Sequence, residues 1–391
     1  MSVAFVFTNP RHHLEMMAPV VAALARRGIH GRLISLAELR GFETPRQTHT
    51  IERVIPLNLR PRVIGRHRPN ATDDAWQTGG RAKKLVWALL RLRMRQLLRG
   101  VDVVVVPNDA VYPYSQLISD LHTRDVTTVL LQEGIRFPLP VAHRGPVYGA
   151  QADIVCAWGE GSKDYFVATG VSSQRVYVTG APRFDALDPA EWTAKAAALL
   201  QEHNISVAPL VYLSNPIEHQ GYGDKQLKLK LFGAFLREGA EVIRAHQVPV
   251  IVKNHLAEDP EEYKRVASAS SVAEWVHVLP PNASIFATLA AARAVVVLTS
   301  TTGLEALVFD RPLAQMAIPH HPPAFEYAGH KVATVLEPST IAAGLRELFD
   351  RGTRRDARIT SFVARHLHDR GNAADNVAKV VLHACNSRRA R

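Results

Sequence analysis

The sequence predicts two α/β domains, each built on a doubly wound parallel sheet. Strand-like apolar runs alternate with amphipathic helical stretches along the chain, a pattern typical of βαβ units. The 391 residues also exceed what one hydrophobic core of the usual size holds. The strand series breaks near Asp188-Pro189 and restarts at Leu210, which separates a first domain, 1–188, from a second, 205–352.

Each domain has its own predicted strands. In the first, the apolar runs lie at 3–8, 31–35, 101–107, 126–131, 154–157 and 176–178, with a helix from His13 to Arg27 that stops at Gly28. In the second, they lie at 210–214, 249–253, 275–278, 294–299, 313–317 and 332–335, with a helix over 224–246. Ligands bind beyond the carboxyl ends of such strands, so we expect two Rossmann-like domains that face a cleft.

Composition narrows the class of protein. The chain is 47% hydrophobic and 21% charged, as expected for a globular protein, and its two cysteines fit a reducing compartment. The N-terminus lacks the features of a signal peptide, and no apolar run approaches the ~20 residues that span a bilayer. We therefore expect a cytoplasmic protein, or one at the inner face of the membrane. The net charge of +11 suggests nucleic acid, an anionic membrane or phosphorylated substrates as partners.

A phosphate site is predicted in the second domain. The strand over 294–299 runs into Ser300, Thr301 and Thr302, and a helix then begins with Glu305 in its first turn. Backbone N–H groups and hydroxyls that meet at a helix N-terminus can bind a donor phosphate, and the carboxylate could accept hydrogen bonds from a ribose. Alternatively, these side chains only cap the helix and stabilise its dipole.

Lys253 and His255 follow another buried strand of the second domain. Both can donate hydrogen bonds to a phosphate, and His255 could protonate a leaving group. A loop histidine without a role is the alternative, since the chain holds 18 histidines.

The candidate base lies in the first domain. Glu133 follows the strand over 126–131, is held by a Gly turn and stands near Arg136, so it is placed to take a proton from an acceptor hydroxyl. A structural ion pair between these two residues is the alternative. His13 is a second candidate base, and Arg11 and His12 share its loop after the first strand. Arg183 lies in the turn that closes the domain, where it ties the turn down or reaches the cleft.

Three segments together resemble a family of enzymes. Residues Val178-Thr179-Gly180-Ala181-Pro182-Arg183-Phe184-Asp185, the Lys-x-His strand end, and the Ser/Thr cluster before Gly303-Leu304-Glu305-Ala306-Leu307 are similar to segments of bacterial surface-polymer transferases. These include CDP-glycerol glycerophosphotransferase-like proteins and the capsule transferases for sialic acid and Kdo. Glu133-Gly134 is similar to the acidic-Gly motif of the latter, whereas His255-Leu256 departs from their usual His-Pro.

The resemblance implies a GT-B-like fold, with a C-terminal segment, 353–391, that crosses back to the first domain. Ala373, Val377, Val380 and Val381 recur at helical spacing and need such a surface to bury against. It also implies a glycosyltransferase or polyol-phosphate transferase without cofactor. The sequence holds no dense Asp cluster, so we expect no catalytic metal. The donor would be CMP-, CDP- or UDP-linked, and the acceptor a hydroxyl, lipid-linked or polymeric.

Two other functions fit parts of the sequence. A UDP-sugar 2-epimerase shares the fold and would turn over a UDP-sugar without an acceptor. A basic nucleic-acid-binding protein fits the charge, but zinc spacing, a helix-turn-helix signature and aromatic RNA motifs are missing from the sequence, so we expect no nucleic-acid partner. A P-loop enzyme is excluded because GxxxxGK[ST] does not occur.

The stretch 81–99 carries seven basic residues and no acidic one. It predicts an amphipathic helix with Leu85, Leu89 and Leu92, and with Met94 and Leu97, on its apolar side. Trp87 suits a membrane interface, so the helix could dock on anionic lipid. A core-packing helix with solvated arginines is the alternative.

Overall fold

The protein is described by a computed structural model that covers residues 1–40, 42–44, 51–54, 81–135, 147–255, 258–322, 325–351 and 357–389. Its described residues fall into two compact units. The first comprises those up to 187 together with those from 364, and the second comprises those from 188 to 363. Each unit is an α/β domain on a parallel sheet, as the sequence predicts.

The described residues of the first unit form a seven-stranded sheet in the order β3-β2-β1-β4-β5-β6-β7. All neighbours in it are parallel. Its strands are β1 (Val3–Phe7), β2 (Gly31–Ser35), β3 (Ile51–Arg53), β4 (Val103–Val106), β5 (Thr127–Leu131), β6 (Ile154–Ala157) and β7 (Val176–Val178). Its helices include α1 (His12–Ala25), α2 (Arg81–Leu97), α3 (Tyr114–His122) and α4 (Glu160–Ala168). The strand order reverses between β1 and β4, which is where doubly wound sheets bind ligands.

Apolar residues on both faces of the central strands build the first core. Along β1, Ala4 and Val6 pack on the side of α2 and α3, whereas Val3, Phe5 and Phe7 pack on the side of α1. Every residue of β1 is buried, because helices cover both faces of a parallel sheet. This explains why these strands are continuous apolar runs in the sequence.

The second unit repeats this architecture with a sheet of six described strands, in the order β10-β9-β8-β11-β12-β13. Its strands are β8 (Leu210–Leu213), β9 (Val250–Lys253), β10 (Val276–Val278), β11 (Ala294–Val297), β12 (Leu313–Met316) and β13 (Ala333–Leu336). Its helices include α5 (Thr193–Glu202), α6 (Lys225–Ala245), α7 (Pro260–Ser268), α8 (Ile285–Ala291), α9 (Thr302–Val308) and α10 (Ile341–Arg351). The order reverses between β8 and β11, so the switch point of this sheet lies between these two strands.

The C-terminal segment returns to the first unit. Helix α11 (Ala357–His366) spans the boundary between the units, and α12 (Ala373–Arg389) packs on α1, β4 and β5. Val377 and Val381 are fully buried in the same cluster as Phe5. The carboxylate of Asp185 accepts hydrogen bonds from three backbone N–H groups of residues 371–374, which caps the start of α12. The predicted crossing-back of this helix is confirmed.

Helix α2 forms where predicted, and the predicted apolar side is wrong in part. Met94 and Leu97 are buried as predicted, together with Trp87, whereas Leu89 and Leu92 are exposed. The side chain of Leu85 lies outside the described residues. Trp87 donates from its indole Nε1 to Asp120 on α3 at 3.2 Å, and this fixes the buried face. Trp87 therefore belongs to the core and not to a surface that could enter a membrane. Within the described residues, no helix combines the length and apolarity that a membrane crossing requires.

Candidate functional site

Glu133 lies at the carboxyl end of β5, within a cluster of side chains from neighbouring strand ends of the first unit. Its Oε2 lies 3.2 Å from Nε2 of His13, which follows β1, and its Oε1 accepts a hydrogen bond of 3.1 Å from the amide of Asn108, which follows β4. The Glu133 side chain keeps 27% of its surface exposed. Both oxygens are thus oriented by neighbours while the group stays open to a ligand.

The hydrogen bonds of His13 fix its tautomer. Its Nδ1 accepts from the backbone N–H groups of Thr8, at 3.3 Å, and Asn9, at 3.1 Å, so this nitrogen carries no proton. The proton of the neutral ring is therefore on Nε2, which donates it to Glu133. His13 is buried, and the hydroxyl of Tyr114 lies 3.4 Å from its Nδ1. This geometry makes His13 the group that holds the Glu133 carboxylate in place.

His12 supports the same cluster from a different side. Its Nε2 donates to the backbone carbonyl of Glu133 at 2.9 Å, and its Nδ1 lies 3.4 Å from Nη1 of Arg183. Burial, followed by the Arg183 charge, lowers the pKa of His12 from 6.5 to about 4. His12 is therefore neutral at physiological pH. Arg183 itself is nearly buried and also lies 4.0 Å from Glu15, so the structure brings it to the cluster.

Two predicted residues of this region stand apart. Arg11 is exposed, and its backbone N–H donates to the side chain of Asn9 at 3.0 Å. Arg136 lies outside the described residues, so its predicted pairing with Glu133 remains a prediction.

Three members of the cluster were not predicted from the sequence: Asn108, Tyr114 and Tyr148. The Tyr148 hydroxyl accepts from the backbone N–H of Glu133 at 3.2 Å and donates to the carbonyl of Pro107 at 3.0 Å. Asn108 follows a central strand, so the strand-end rule that found Glu133 would also have found it. Tyr148 follows no strand end, and the sequence carries no signal for its role.

In the second unit, the predicted phosphate site is the turn from β11 into α9. Oγ of Ser300 accepts from the backbone N–H of Thr302 at 3.2 Å and from its hydroxyl at 2.6 Å. Thr301 stands at the helix N-cap position without a side-chain capping bond, and Glu305 is buried in the first turn. A Cβ on Gly303 would lie 2.8 Å from the Tyr327 ring, so this position requires glycine. The Tyr327 ring thus packs tightly against the first turn of α9.

Asn215 and Gln220 join this turn at the switch point of the sheet. The Asn215 amide follows β8, donates to the Thr299 hydroxyl at 2.7 Å, and accepts from the Thr299 backbone N–H at 3.2 Å. Gln220 accepts from the same hydroxyl. These residues lock the loops after β8 and β11 together, where the strand order reverses. The sequence analysis identified neither.

Lys253 and His255, at the end of β9, differ in exposure. The ammonium of Lys253 is buried and donates to the carbonyls of Asn254 and Pro281, at 2.8 Å each. These bonds give it a role in joining two loops. His255 is exposed at the loop surface, and its backbone N–H donates to Glu258 at 2.8 Å.

A buried ion network fixes the loop that carries His255. Nζ of Lys228 on α6 lies 2.7 Å from Glu258 and 2.9 Å from Glu218. Glu258 also accepts from the hydroxyls of Ser214, at 2.9 Å, and Tyr263, at 3.1 Å. Burial, and then the Glu258 charge, raise the pKa of Tyr263, so its hydroxyl stays protonated as a donor. The network joins the loops after β8 and β9, and Asn215 of the first of these loops contacts Thr299 next to the predicted phosphate site.

Comparisons with known proteins identify the fold. No protein-family model matches the sequence, and no curated protein matches it significantly. Solved structures do match. A putative UDP-N-acetylglucosamine 2-epimerase from Listeria monocytogenes has a TM-score of 0.66 at 14% identity, over 99% of this chain and 97% of its own. The Methanocaldococcus jannaschii UDP-GlcNAc 2-epimerase, in complex with UDP-GlcNAc and UDP, has a TM-score of 0.64 at 11% identity, over 98% and 100%.

The S. aureus MnaA–UDP co-structure has a TM-score of 0.62 at 14% identity, over 98% of this chain and 97% of that one. At such identities these likenesses establish the fold alone, which is two Rossmann-like domains of the GT-B-like type. The resemblance to CDP-glycerol, sialic acid and Kdo transferases gains no support from the three comparisons.

Proposed function

We propose that this chain is an enzyme that acts on a nucleotide-activated sugar, with Glu133 as its acid–base group. The observation that carries the proposal is the cluster at the ends of β1, β4 and β5, where His13 and Asn108 orient both oxygens of a partly exposed carboxylate. A base needs a fixed direction and access to its substrate, and this arrangement supplies both. In this proposal the activated sugar is the substrate, and the reaction uses no cofactor.

The second unit would bind the nucleotide. Its switch point places Ser300, Thr301 and Thr302 at the carboxyl end of β11. Ser300 and Thr301 would donate to phosphate oxygens, and Thr302, which donates to Oγ of Ser300, would hold the turn in place. His255 is exposed on the neighbouring loop and would donate to the same phosphates. In this proposal the buried side chains of Lys253 and Glu305 stabilise the loops that form the site.

Of the reactions open to such an enzyme, 2-epimerisation of a UDP-sugar is favoured. The support is the match to proteins titled UDP-GlcNAc 2-epimerases, over nearly the full length of both chains. Inversion at C2 would proceed by elimination: a base takes the C2 proton as the C1–O bond to UDP breaks, and UDP then adds back to C1 while a proton returns to the opposite face of C2. Glu133 would serve as the base of the first step.

The test is incubation of the protein with UDP-GlcNAc alone in D2O, followed by NMR. An epimerase converts the sugar to its 2-epimer without an acceptor and introduces deuterium at C2. Absence of any conversion, together with absence of UDP binding by calorimetry, would contradict 2-epimerisation of a UDP-sugar.

A glycosyltransferase or polyol-phosphate transferase is the second candidate. The observation that favours it is that a transferase needs one base for the acceptor hydroxyl, and Glu133 is the carboxylate that His13 and Asn108 orient. Its donor would be CMP-, CDP- or UDP-linked, and its acceptor a hydroxyl in a surface glycan. Thermal-shift measurements with CMP, CDP, UDP and GDP identify the nucleobase of the donor, since a ligand that binds the folded state raises its stability. Turnover that begins only when an acceptor is added would select this candidate over the epimerase.

A further inference from the structure

Helix α2 is anchored to the first unit by one face. Trp87 and Arg91 both bond to Asp120 of α3, at 3.2 and 2.5 Å, and Met94, Leu97 and Leu98 are buried beside them. The helix is therefore fixed by polar and apolar contacts that leave its other face available.

The opposite face combines leucines with arginines. Leu89 and Leu92 are 72% and 67% exposed, the highest values among the large apolar side chains in the described ranges. At about 100° per residue they lie ~60° apart on the helix, with Gln96 between them. Arg93 borders the pair on one side and Arg95 on the other, and Arg99 follows in the turn directly after α2; all three are exposed. We call this set the leucine–arginine face.

Charge decides what kind of partner fits this face. The sequence of α2 holds no acidic residue, and the exposed arginines beside Leu89 and Leu92 make this face basic. A partner must therefore offer negative charge and, between the charges, an apolar phase for two leucines. The surface of an anionic bilayer offers both, since phosphates lie directly above acyl chains. A nucleic acid would pair with the arginines but leave the leucines in water.

We propose that α2 docks this protein on an anionic membrane surface through the leucine–arginine face. Leu89 and Leu92 enter the boundary between headgroups and acyl chains, while Arg93, Arg95 and Arg99 stay at the phosphates. Because the other face of α2 is already packed in the core, docking requires no rearrangement of the fold. The proposal does not depend on the reaction that the enzyme catalyses.

The test is sedimentation of the full chain with vesicles of phosphatidylcholine, alone or mixed with phosphatidylglycerol. Two variants remove the two contributions separately: Leu89→Gln with Leu92→Gln, and Arg93→Gln with Arg95→Gln and Arg99→Gln. The matched controls replace equal numbers of exposed apolar and basic residues elsewhere by Gln: Val167→Gln with Val207→Gln, and Arg237→Gln with Lys264→Gln and Arg265→Gln.

We expect the wild type to bind only the anionic vesicles, and less strongly as salt increases. Each α2 variant should lose about tenfold or more of this binding at unchanged thermal stability, and each control should bind as the wild type does. The proposal is overturned if the wild type ignores anionic vesicles, or if the α2 variants bind as well as their controls. It is also overturned if the face binds nucleic acid in a gel shift that the arginine variant abolishes and the leucine variant leaves intact.

Discussion

Lys228 gives the sharpest prediction on stability. Lys228→Met keeps most of the side-chain volume and removes the ammonium that joins Glu218 and Glu258. Lys228 and Glu258 are 1% and 3% exposed, so the change leaves a carboxylate buried without its cation. Removal of one partner of such a pair costs about 3–5 kcal/mol. Glu258 retains hydrogen bonds from Ser214, Tyr263 and the His255 backbone, so we expect a loss near the lower end, about 3 kcal/mol.

Hydrogen exchange measures this loss in the right unit. The chain has two compact units, so one global unfolding transition would mix their stabilities. Amides of β8 and β9 should exchange about 100-fold faster in the variant, the rate change that corresponds to ~3 kcal/mol, while β1 and β4 of the first unit serve as an internal reference.

Two further variants test whether the unpaired buried charge causes the loss of stability. Lys264→Met breaks the exposed Lys264–Glu261 pair, also at 2.7 Å, and should change stability by less than about 1 kcal/mol. Glu258→Gln added to Lys228→Met removes the unpaired charge and should restore part of the loss. Unchanged exchange in β8 and β9 of Lys228→Met would refute the account of this network.

Three other predictions concern the remaining features. The pKa of His12 is about 4 in the folded protein and 6.5 in the unfolded chain, so the free energy of unfolding should fall as the pH drops from 6.5 to about 4. The contribution of His12 to this fall is at most about 1.4 kcal/mol per pH unit. Denaturant unfolding at several pH values should show a smaller fall in His12→Gln. Gly303→Ala places a methyl group 2.8 Å from the buried Tyr327 ring and should cost about 1–3 kcal/mol in thermal unfolding, whereas Gly329→Ala, with 3.7 Å of space, should not. Thr301→Ala and His255→Ala should each weaken nucleotide binding by ~1–3 kcal/mol in calorimetry, and unchanged affinity in both would remove this turn from the site.

The fold was largely predictable because the spacing of apolar residues along the sequence indicates its strands and helices. Strands buried on both faces are continuous apolar runs, and those at 31–35, 154–157 and 176–178 have the predicted bounds. Strand β3 (Ile51–Arg53) was missed because two of its three residues are charged and it forms no apolar run, whereas β7, equally short and also at an edge, reads Val-Tyr-Val. In α2, helical spacing allows two apolar stripes, and only Asp120, far along the chain, selects the one with Trp87.

The site was predictable in position and not in detail. Ligands bind at the carboxyl ends of parallel strands, and this rule identified Glu133, His13 and Ser300 as candidates. The structure places Glu133 and His13 in hydrogen-bond contact. Which nitrogen of His13 carries the proton depends on backbone N–H groups whose direction no sequence pattern reveals. The orientation of the Lys253 ammonium toward two carbonyls likewise follows from the packing of two loops.

The most direct test of the central claim compares turnover and binding in Glu133→Gln. The substitution keeps the size of the side chain and one oxygen that can accept from His13 or Asn108, and it replaces the other oxygen with an NH2 group, which removes the proton acceptor. With the nucleotide sugar that the wild type consumes, we predict a kcat lower by ~100-fold or more and a dissociation constant for the nucleotide equal to that of the wild type. Full turnover by Glu133→Gln would contradict the claim that this carboxylate is the acid–base group.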